Sequence, residues 1–562
     1  MRSLTLLALI LIPALCEDSF AGCPEMLDKI NSNAAVPARW RIAPIDETSS
    51  AFTPDQVQRA NLFLKTISEP VVLAGPPESA AIRRVGILLE GGGEHTAELD
   101  AAGETLRLIP AALGKGGGRI CDGVEYLEFP NSTILQSVDS TTGKPRSFLL
   151  ARGVRRYTTD IELATGTISP QGYISDVLVF EIVDGKTVYR SRLLKSVAES
   201  KFFFEDPRIS TLHFPDGSRR TFLSGTDYSP HVPGATNPDV MNRYVELKLD
   251  AHGLPLPIAT EAGIPKFSNL SPFPKVRAGA NGILAIDAKN ATIAFNEEGQ
   301  IVVRTRLRPD FKSAEIQAMA GSSHWNYGEQ VFVFKDFEDF SKYDWNHCLE
   351  DLFAKAPIQE DRVRPLSSKV ILRDSQIKEL YKDARVLPGK GKGMGPGTPP
   401  VRVVRRGNQL FVSDGKNAAE VAAGKVPKGF PLKDGEVTYL TFDHEIRYFK
   451  DTRKTGEFVK RHYSLSVKQF DPSLTKIKAY FADALQPREL HELGYNSGIA
   501  DLQHVYAMGR EVIVGPDGVA RVRVSLGVSD AHTEMVEVDI LSLLMELAPG
   551  STRWKTGQVY RP

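Results

Sequence analysis

The sequence predicts an all-β fold built from antiparallel hairpins. Pairs of β-rich segments recur around Asp-Gly, Glu-Gly or Gly-Asn turns, which is the local chemistry of a β-hairpin. After residue 126 the helical patterns are weak, and they occur near 346 to 356, 374 to 384 and 538 to 547. The clearest hairpin candidates are 173 to 194, 210 to 225, 291 to 307, 400 to 415 and 510 to 527.

The way in which these hairpins close their sheet edges decides the architecture. So many antiparallel strands must pack as tandem sandwiches or close as a barrel or a propeller. A propeller suits 562 residues best, because the hairpins are irregularly spaced and no linker interrupts them. The Gly- and Pro-rich stretch 386 to 400 leads straight back into a strand, so we interpret it as a loop. Tandem sandwiches are the alternative.

The charge balance and the cysteine spacing limit the classes of molecule that the protein is expected to bind. Lys plus Arg equals Asp plus Glu at 69 each, without a long basic block, which argues against a nucleic acid or an anionic membrane as partner. A neutral substrate fits this balance. The four cysteines show no CxxC or Cys/His spacing, so we predict neither a disulfide framework nor a metal site.

The N-terminus has the pattern of a secretory signal peptide. Arg2 precedes an apolar run from Leu4 to Leu15, and small residues follow at Ala21 and Gly22. We predict a signal peptide over 1 to 21 and a secreted or periplasmic protein, with lipid anchoring at Cys23 as a weaker alternative. No later apolar run predicts a membrane span.

The chain divides into further predicted regions. Residues 22 to 125 form an N-terminal region of mixed α/β character and unknown role, with a helix over 53 to 67 and a strand over 84 to 90. The propeller is predicted over 126 to 550. A C-terminal tail over 551 to 562 follows.

The stretch KFFFEDPRIS, residues 201 to 210, is the most unusual candidate site. An apolar strand runs into Glu205 and Asp206, and adjacent strand residues point to opposite faces, so one carboxylate can enter a central cavity. Pro207 forces an extended conformation on Asp206, and Arg208 is predicted to pair with a nearby carboxylate. A plain strand end with a surface ion pair is the alternative.

Common catalytic signatures do not occur in the sequence. Gly-x-Ser-x-Gly, His-Glu-x-x-His, Walker and dinucleotide-binding motifs are missing. GKGKGMGPG, residues 389 to 397, lacks the Gly-Lys-Ser/Thr ending of a phosphate-binding loop. The carboxylates are therefore the better candidates.

Several segments, in order along the chain, resemble glycoside hydrolase family 130, the mannoside phosphorylases and related mannosidases. FFFEDPRIS followed by FLSGTDYS is similar to the Glu-Asp-Pro-Arg signature of that family. The other similar segments are FPNSTI with SFLLARG (129 to 153), NRYVELKLDAHGL (242 to 254), IDAKNATIAFNEEGQIVVRTRLRPD (286 to 310), GMGPGTPPVRVVRRGNQLFVSDG (393 to 415) and VRVSLGVSDAHTEMVEVDILSLL (522 to 544). The resemblance implies a five-bladed β-propeller, and it identifies the chain as a divergent member.

The resemblance also implies roles for single residues. Asp206 matches the general acid of an inverting cleavage of β-mannosides or related glycans. Inorganic phosphate is a possible co-substrate, and no other cofactor is implied. Predicted phosphate- or anion-binding residues are Arg243, Lys289, Arg304 and Arg306. Predicted substrate-binding residues are Asn131, Arg152, Asp227, Asp414, His504 and Asp530.

Two departures from the family pattern leave the reaction open. The expected His-Arg pair reads Arg304-Thr305-Arg306, and the expected Tyr-His-Gly reads Val-Ser-Asp-Gly over 412 to 415. Hydrolases of the family place glutamates where the phosphorylases hold phosphate, whereas this chain keeps Lys289. Hydrolysis and phosphorolysis of an oligosaccharide or polysaccharide are therefore equally supported. A catalytically degenerate propeller that binds glycan, or acts as an interaction or structural protein, is the alternative, and the oligomeric state is not predicted.

Overall fold

The structure is a computed structural model. The ranges that it describes are 78–89, 95–99, 106–110, 119–126, 129–156, 173–195, 204–227, 241–261, 264–271, 286–309, 329–353, 362–372, 393–451, 458–485, 501–503, 505–528, 532–555 and 559–560. The predicted signal peptide and the predicted helix over 53 to 67 lie outside these ranges.

Five strands of the described residues come before blade I in the sequence. They are β1 (Ile82–Leu89), β2 (His95–Leu99), β3 (Leu106–Pro110), β4 (Arg119–Cys121) and β5 (Val124–Tyr126). β2 pairs with β3 and β4 pairs with β5 as short antiparallel hairpins. β1, in contrast, belongs to a blade formed at the other end of the chain.

Three four-stranded antiparallel sheets follow, which we call blades I to III. Blade I contains β6 (Thr133–Val138), β7 (Pro145–Arg156), β8 (Tyr173–Val183) and β9 (Lys186–Leu194). Blade II contains β10 (Phe204–His213), β11 (Arg219–Asp227), β12 (Met241–Leu247) and β15 (Ser268–Asn269); β13 (Thr260–Glu261) and β14 (Ile264–Pro265) pair separately. Blade III contains β16 (Ile286–Phe295), β17 (Ile301–Pro309), β18 (Glu329–Phe334) and β19 (Ser367–Leu372).

Blade IV is a larger sheet of nine strands. Its strands are β20 (Gly393–Gly395), β21 (Val401–Arg406), β22 (Gln409–Ser413), β23 (Val421–Lys425), β24 (Val437–Asp451), β25 (Phe458–Phe470), β26 (Ile477–Leu485), β27 (Asp501–Gln503) and β31 (Val559–Tyr560). β21 pairs with β22 on one side and with β24 on the other, so the β22–β23 hairpin is inserted between strands that are neighbours in the sheet.

Blade V joins the two ends of the chain. It contains β28 (Val505–Val514), β29 (Ala520–Val528), β30 (His532–Val538) and, as its outer strand, β1. The predicted strand over 84 to 90 is confirmed, but its place in this sheet differs from the predicted boundary at residue 126. A strand supplied from the other terminus closes the ring and removes an exposed sheet edge.

Buried apolar clusters lie between each pair of neighbouring blades. Leu135 and Phe204 belong to the cluster between blades I and II, and Phe222 and Phe332 to the one between blades II and III. Three further clusters fill the interfaces III–IV, IV–V and V–I. The all-β fold and the five-bladed propeller are therefore confirmed, and each predicted hairpin occurs as an antiparallel strand pair.

The helices lie outside the blades. They are α1 (Phe337–Lys342), α2 (Cys348–Phe353), α3 (Ile540–Leu547) and α4 (Thr552–Lys555), with a 3-10 turn at Trp345–His347. The helical patterns near 346 to 356 and 538 to 547 are confirmed as α2 and α3, whereas 374 to 384 lies outside the described residues. Beyond α4 the predicted tail adds β31 to blade IV. In the described part of the chain no helix is long and apolar enough to cross a membrane.

Ring closure through β1 can be tested by a matched pair of substitutions. Ile82 is 7% exposed and packs in the IV–V cluster, while Val85 on the same strand is 49% exposed. Ile82→Asp should destabilise the fold by about 3 kcal/mol or more, because it buries an unpaired carboxylate. Val85→Asp should cost little. Thermal unfolding followed by circular dichroism measures both, and equal unfolding temperatures would contradict the pairing of β1 with blade V.

Candidate functional site

The inner strands of blades I to III share an irregularity at one end of the propeller axis. Asn131, Asp206 and Asn290 all adopt left-handed backbone conformations, with φ of 54°, 51° and 59°. The extended conformation predicted for Asp206 from the following Pro207 is therefore wrong. Asn and Asp tolerate this region better than other non-glycine residues. In β10 and β16 the pairing register shifts around these residues, which marks β-bulges. Bulges redirect side chains, and here they do so at the end of the axis that we call the upper mouth.

Asp206, the predicted acid, is joined to Asn131, a predicted substrate-binding residue. Nδ2 of Asn131 donates to Oδ1 of Asp206 at 2.7 Å. Asn131 is buried, whereas Asp206 is half-buried. The structure thus brings the two residues together across blades I and II, 75 positions apart in the chain.

Arg208 differs from its prediction. Its guanidinium pairs with no carboxylate of the described residues; Nη1 donates to the carbonyl oxygen of Asp206 at 3.0 Å and Nε donates to that of Gly397 at 3.1 Å. Burial lowers the pKa of Arg208 to about 10, so the group is still cationic at neutral pH. Arg208 therefore fixes the Asp206 bulge and ties blade II to the inner edge of blade IV.

Three further predicted residues, Arg152, Arg243 and Asp227, take part in ion pairs at the upper mouth. Arg152 on β7 pairs with Glu205, the residue before Asp206. Arg243 on β12 lies 3.0 Å, Nε to Oδ2, from the buried Asp227 at the end of β11. Each pair joins neighbouring strand ends, so both cations and both anions are held close to the axis.

Lys289 and Arg306 face each other in blade III. They are register partners on β16 and β17, next to the Asn290 bulge. Arg306 is buried, and its charge acts on both Arg208 and His444. These predicted anion-binding residues therefore lie beside the group around Asp206.

Arg304 lies deeper, in a buried ion-pair network between blades III and IV. Its Nε contacts Glu329 at 2.5 Å and its Nη2 contacts Asp443 at 2.8 Å. Lys468 contacts the same two carboxylates. Although burial opposes the charge, Asp443 and Glu329 raise the pKa of Arg304 above its usual value. The structure thus gives Arg304 internal partners, and its role in anion binding stays a prediction.

Asp414 lies at the opposite end of the axis. Its carboxylate pairs with Arg510 and lies 3.3 Å from Nε2 of His213, the last residue of β10. Asp206 and His213 are separated by about 20 Å along this strand, given the rise of an extended chain. The structure therefore does not bring Asp414 together with Asp206. His504 and Asp530 lie outside the described residues.

His444 is a candidate that sequence reasoning missed. It lies on β24 beside β20, and Nδ2 of Asn290 donates to its Nε2 at 3.3 Å. The family pattern places the expected histidine at the end of β22, but the β22–β23 hairpin is an insertion and β24 is the strand that pairs with β20. A search beyond this hairpin would have found His444.

Burial and two nearby arginines keep the His444 ring neutral. Burial, together with the charges of Arg306 and Arg208, holds its pKa well below the usual range. Because Nε2 accepts a hydrogen bond, the neutral ring carries its hydrogen on Nδ1. Among the described residues Nδ1 has no hydrogen-bond partner. This N–H is therefore a buried donor with no acceptor among the described residues.

Two tyrosines, Tyr463 and Tyr506, lie next to His444. The ring of Tyr506, the second residue of β28, lies 5.6 Å from the ring of His444 and 4.8 Å from that of Tyr463. Tyr463 is buried and Tyr506 is half-buried. Aromatic faces of this kind suit the apolar face of a ring-shaped ligand. Among the described residues no group of three or more His, Cys, Asp or Glu side chains is arranged to hold a metal ion.

Comparisons with known proteins give low similarities. No protein-family model and no curated protein matches the chain. A mannose phosphorylase from Leishmania mexicana, solved with phosphate, is 13% identical over 75% of this chain and 86% of its own, with a TM-score of 0.36. A β-1,2-mannobiose phosphorylase from Listeria innocua is 11% identical over 84% of this chain and 94% of its own, with a TM-score of 0.35. A glycosyl hydrolase from Bacteroides ovatus is 9% identical over 82% of this chain and 94% of its own, with a TM-score of 0.34. Scores of this size support no conclusion about activity.

The neutral state of His444 predicts a pH dependence of stability. Below pH 6.5 the unfolded chain binds a proton at His444 that the folded chain does not, so lowering the pH favours unfolding. Between pH 7 and 5.5 the free energy of unfolding of the wild type should fall by about 1 kcal/mol more than that of His444→Gln. Urea unfolding at the two pH values measures this difference. An equal decrease in both proteins would mean that His444 takes up a proton as readily in the folded chain as in the unfolded one.

Proposed function

We propose that this chain is a carbohydrate-active enzyme that cleaves β-mannosidic or related glycans with inversion, using Asp206 as general acid. The observation that carries the proposal is the placement of Asp206 on a left-handed bulge at the upper mouth, bound by Asn131 and surrounded by cationic side chains. The sequence resemblance assigns the same role to the same residue. Fold alone would not support this conclusion.

The acid step follows from the hydrogen bond of Asp206. Oδ1 is occupied by the amide of Asn131, so Oδ2 is the oxygen that would carry the proton. A glycosidic oxygen next to Oδ2 would receive this proton as its bond to the anomeric carbon breaks. Arg208 holds the backbone of Asp206, so the carboxyl keeps one position during the reaction.

The nucleophile that the site suits best is an anion. Lys289 and Arg306 lie side by side near Arg208, so a phosphate would meet positive charge together with ammonium and guanidinium N–H donors. Glu205 and Asp227, described carboxylates of the same mouth, are already paired with Arg152 and Arg243. We therefore favour phosphorolysis, with inorganic phosphate as co-substrate.

The reaction balances as a single displacement. A phosphate oxygen forms a bond to the anomeric carbon from the face opposite the leaving group, and the leaving oxygen takes the proton of Asp206. A β-mannoside would give α-mannose 1-phosphate and a glycan shortened by one residue. Hydrolysis would place water in the position of phosphate and release free mannose.

Export of the enzyme is part of the proposal. It rests on the basic, apolar and small-residue pattern of residues 1 to 22. N-terminal sequencing of the protein recovered from a cell envelope or medium fraction should find residue 22 first. A mature chain that still begins at Met1 would contradict it.

The reaction is tested with purified protein and β-1,2- and β-1,4-mannooligosaccharides, with and without phosphate. We expect phosphate-dependent release of mannose 1-phosphate, whose α configuration is read by proton NMR. Free mannose formed equally well without phosphate would instead establish hydrolysis. Binding of a glycan without any product would favour the degenerate propeller.

The role of Asp206 has a matched control on the same hairpin. Asp206→Asn should lower kcat by about a thousandfold or more, because general acid catalysis is lost while the side-chain shape is kept. Asp216→Asn, in the exposed turn between β10 and β11, should leave turnover unchanged. Initial rates and unfolding temperatures of both variants are compared. Unchanged turnover by Asp206→Asn would refute the assigned role.

A further inference from the structure

Four buried charges form a closed network between blades III and IV, which we call the buried quartet: Arg304, Glu329, Asp443 and Lys468. Each cation contacts both carboxylates. The four side chains are 1% exposed or less. Arg304 also lies over the ring of Phe470, with Cζ at 4.8 Å from the ring centroid. The network is neutral as a whole.

Stability alone does not account for the quartet. Removing charges from water is costly, and replacing a buried ion-pair network by apolar side chains of similar volume often leaves a protein equally or more stable. The surrounding III–IV cluster, with Tyr439 and Phe470, could accommodate such side chains. A role in fixing the position of something else is therefore the better explanation.

Asp443 connects the quartet to the candidate active site. Its Oδ2 contacts Arg304 and Lys468, while its Oδ1 accepts the backbone N–H of Gly397 at 2.7 Å. The carbonyl oxygen of the same Gly397 accepts from Nε of Arg208, and Nη1 of Arg208 donates to the carbonyl of Asp206. A continuous hydrogen-bonded path therefore runs from the quartet to the backbone of the acid.

Gly397 is tightly constrained in this path. A Cβ atom at this position would lie 2.3 Å from the carbonyl oxygen of Phe442 and 2.8 Å from the side chain of Ala507. Asp443 and Ala507 thus hold the peptide from opposite chain segments, so its carbonyl has one orientation toward Arg208. A shift of this peptide would move the guanidinium and, with it, the bulge.

We propose that Asp443, anchored by the other three members of the quartet, is a positioning residue for Asp206. Its charge and its bond to Gly397 fix Arg208, and Arg208 maintains the left-handed bulge that presents the acid. Although burial opposes ionisation, Arg304 and Lys468 hold the pKa of Asp443 well below its usual range, so the anchor stays charged at neutral pH. The part that concerns catalysis rests on the proposed function.

Two charge-balanced double variants separate positioning from stability. Asp443→Val with Lys468→Met removes one anion, one cation and the acceptor for Gly397. Glu329→Val with Lys468→Met removes the same charges but keeps Asp443, Arg304 and the bond to Gly397. We expect similar unfolding temperatures for the two proteins.

The kinetic outcome should differ between them. The Asp443 variant should lose about 10- to 100-fold in kcat, with the KM for the glycan changed less than about twofold and the alkaline limb of the pH–rate profile, where the general acid loses its proton, displaced. The Glu329 variant should stay close to wild type. Asp443→Asn with Lys468→Met keeps an acceptor oxygen and should recover part of kcat. Equal losses in the Asp443 and Glu329 variants, or none, would overturn the proposal.

A second readout does not depend on turnover. In wild type and in the Glu329 variant the Arg208 Nε–H should give a slowly exchanging resonance in arginine-labelled ¹⁵N spectra, assigned with Arg208→Lys. The Asp443 variant should lose or shift it. If wild type cleaves no glycan, the proposed function fails, while this resonance still decides the positioning. An unchanged resonance in the Asp443 variant would overturn the proposal.

Discussion

The interaction on which the upper mouth depends is the pairing of one buried guanidinium with two backbone carbonyls. Arg208 spans from its own bulge at Asp206 to Gly397 on blade IV, and it is fully buried. A buried cation that lost these acceptors would carry a large desolvation cost. The bulge and the Gly397 peptide therefore have to keep their positions together, which couples blades II and IV across the axis.

The surrounding charges are ordered by depth. At the mouth Arg152 and Arg243 pair with carboxylates of neighbouring strand ends, and deeper in the fold the quartet neutralises itself. Between these layers lie Arg208, Arg306 and neutral His444. This middle layer carries positive charge near Asp206, which supports the proposal of an anionic nucleophile.

Much of the fold was predictable, because hairpins carry local signals. The strand over 84 to 90 was predicted as well, but its partner β30 lies at the far end of the sequence, where no local pattern indicates the pairing. The candidate site, too, could be predicted from the sequence only where a local motif marks it. Asp206 stands out by its motif, whereas the acceptors of Arg208 are carbonyl groups that any sequence supplies. The sequence does not distinguish Arg304 from Arg306; Arg304 differs by its ion pairs with Glu329 and Asp443, 25 and 139 residues away.

The inserted β22–β23 hairpin of blade IV explains why the sequence does not point to His444 and why Asp414 lies far from Asp206. β22 lies beside β21 on the side away from β24, and its end carries Asp414 to Arg510 and His213 near the lower end of β10. Lys416 and Asn417 then bond the carbonyls of Glu297 and His213, at the ends of the inner strands of blades III and II. The insertion thus braces the lower end of the ring, while β24 keeps His444 at the level of Asn290. Blade IV could therefore gain strands without altering the upper mouth.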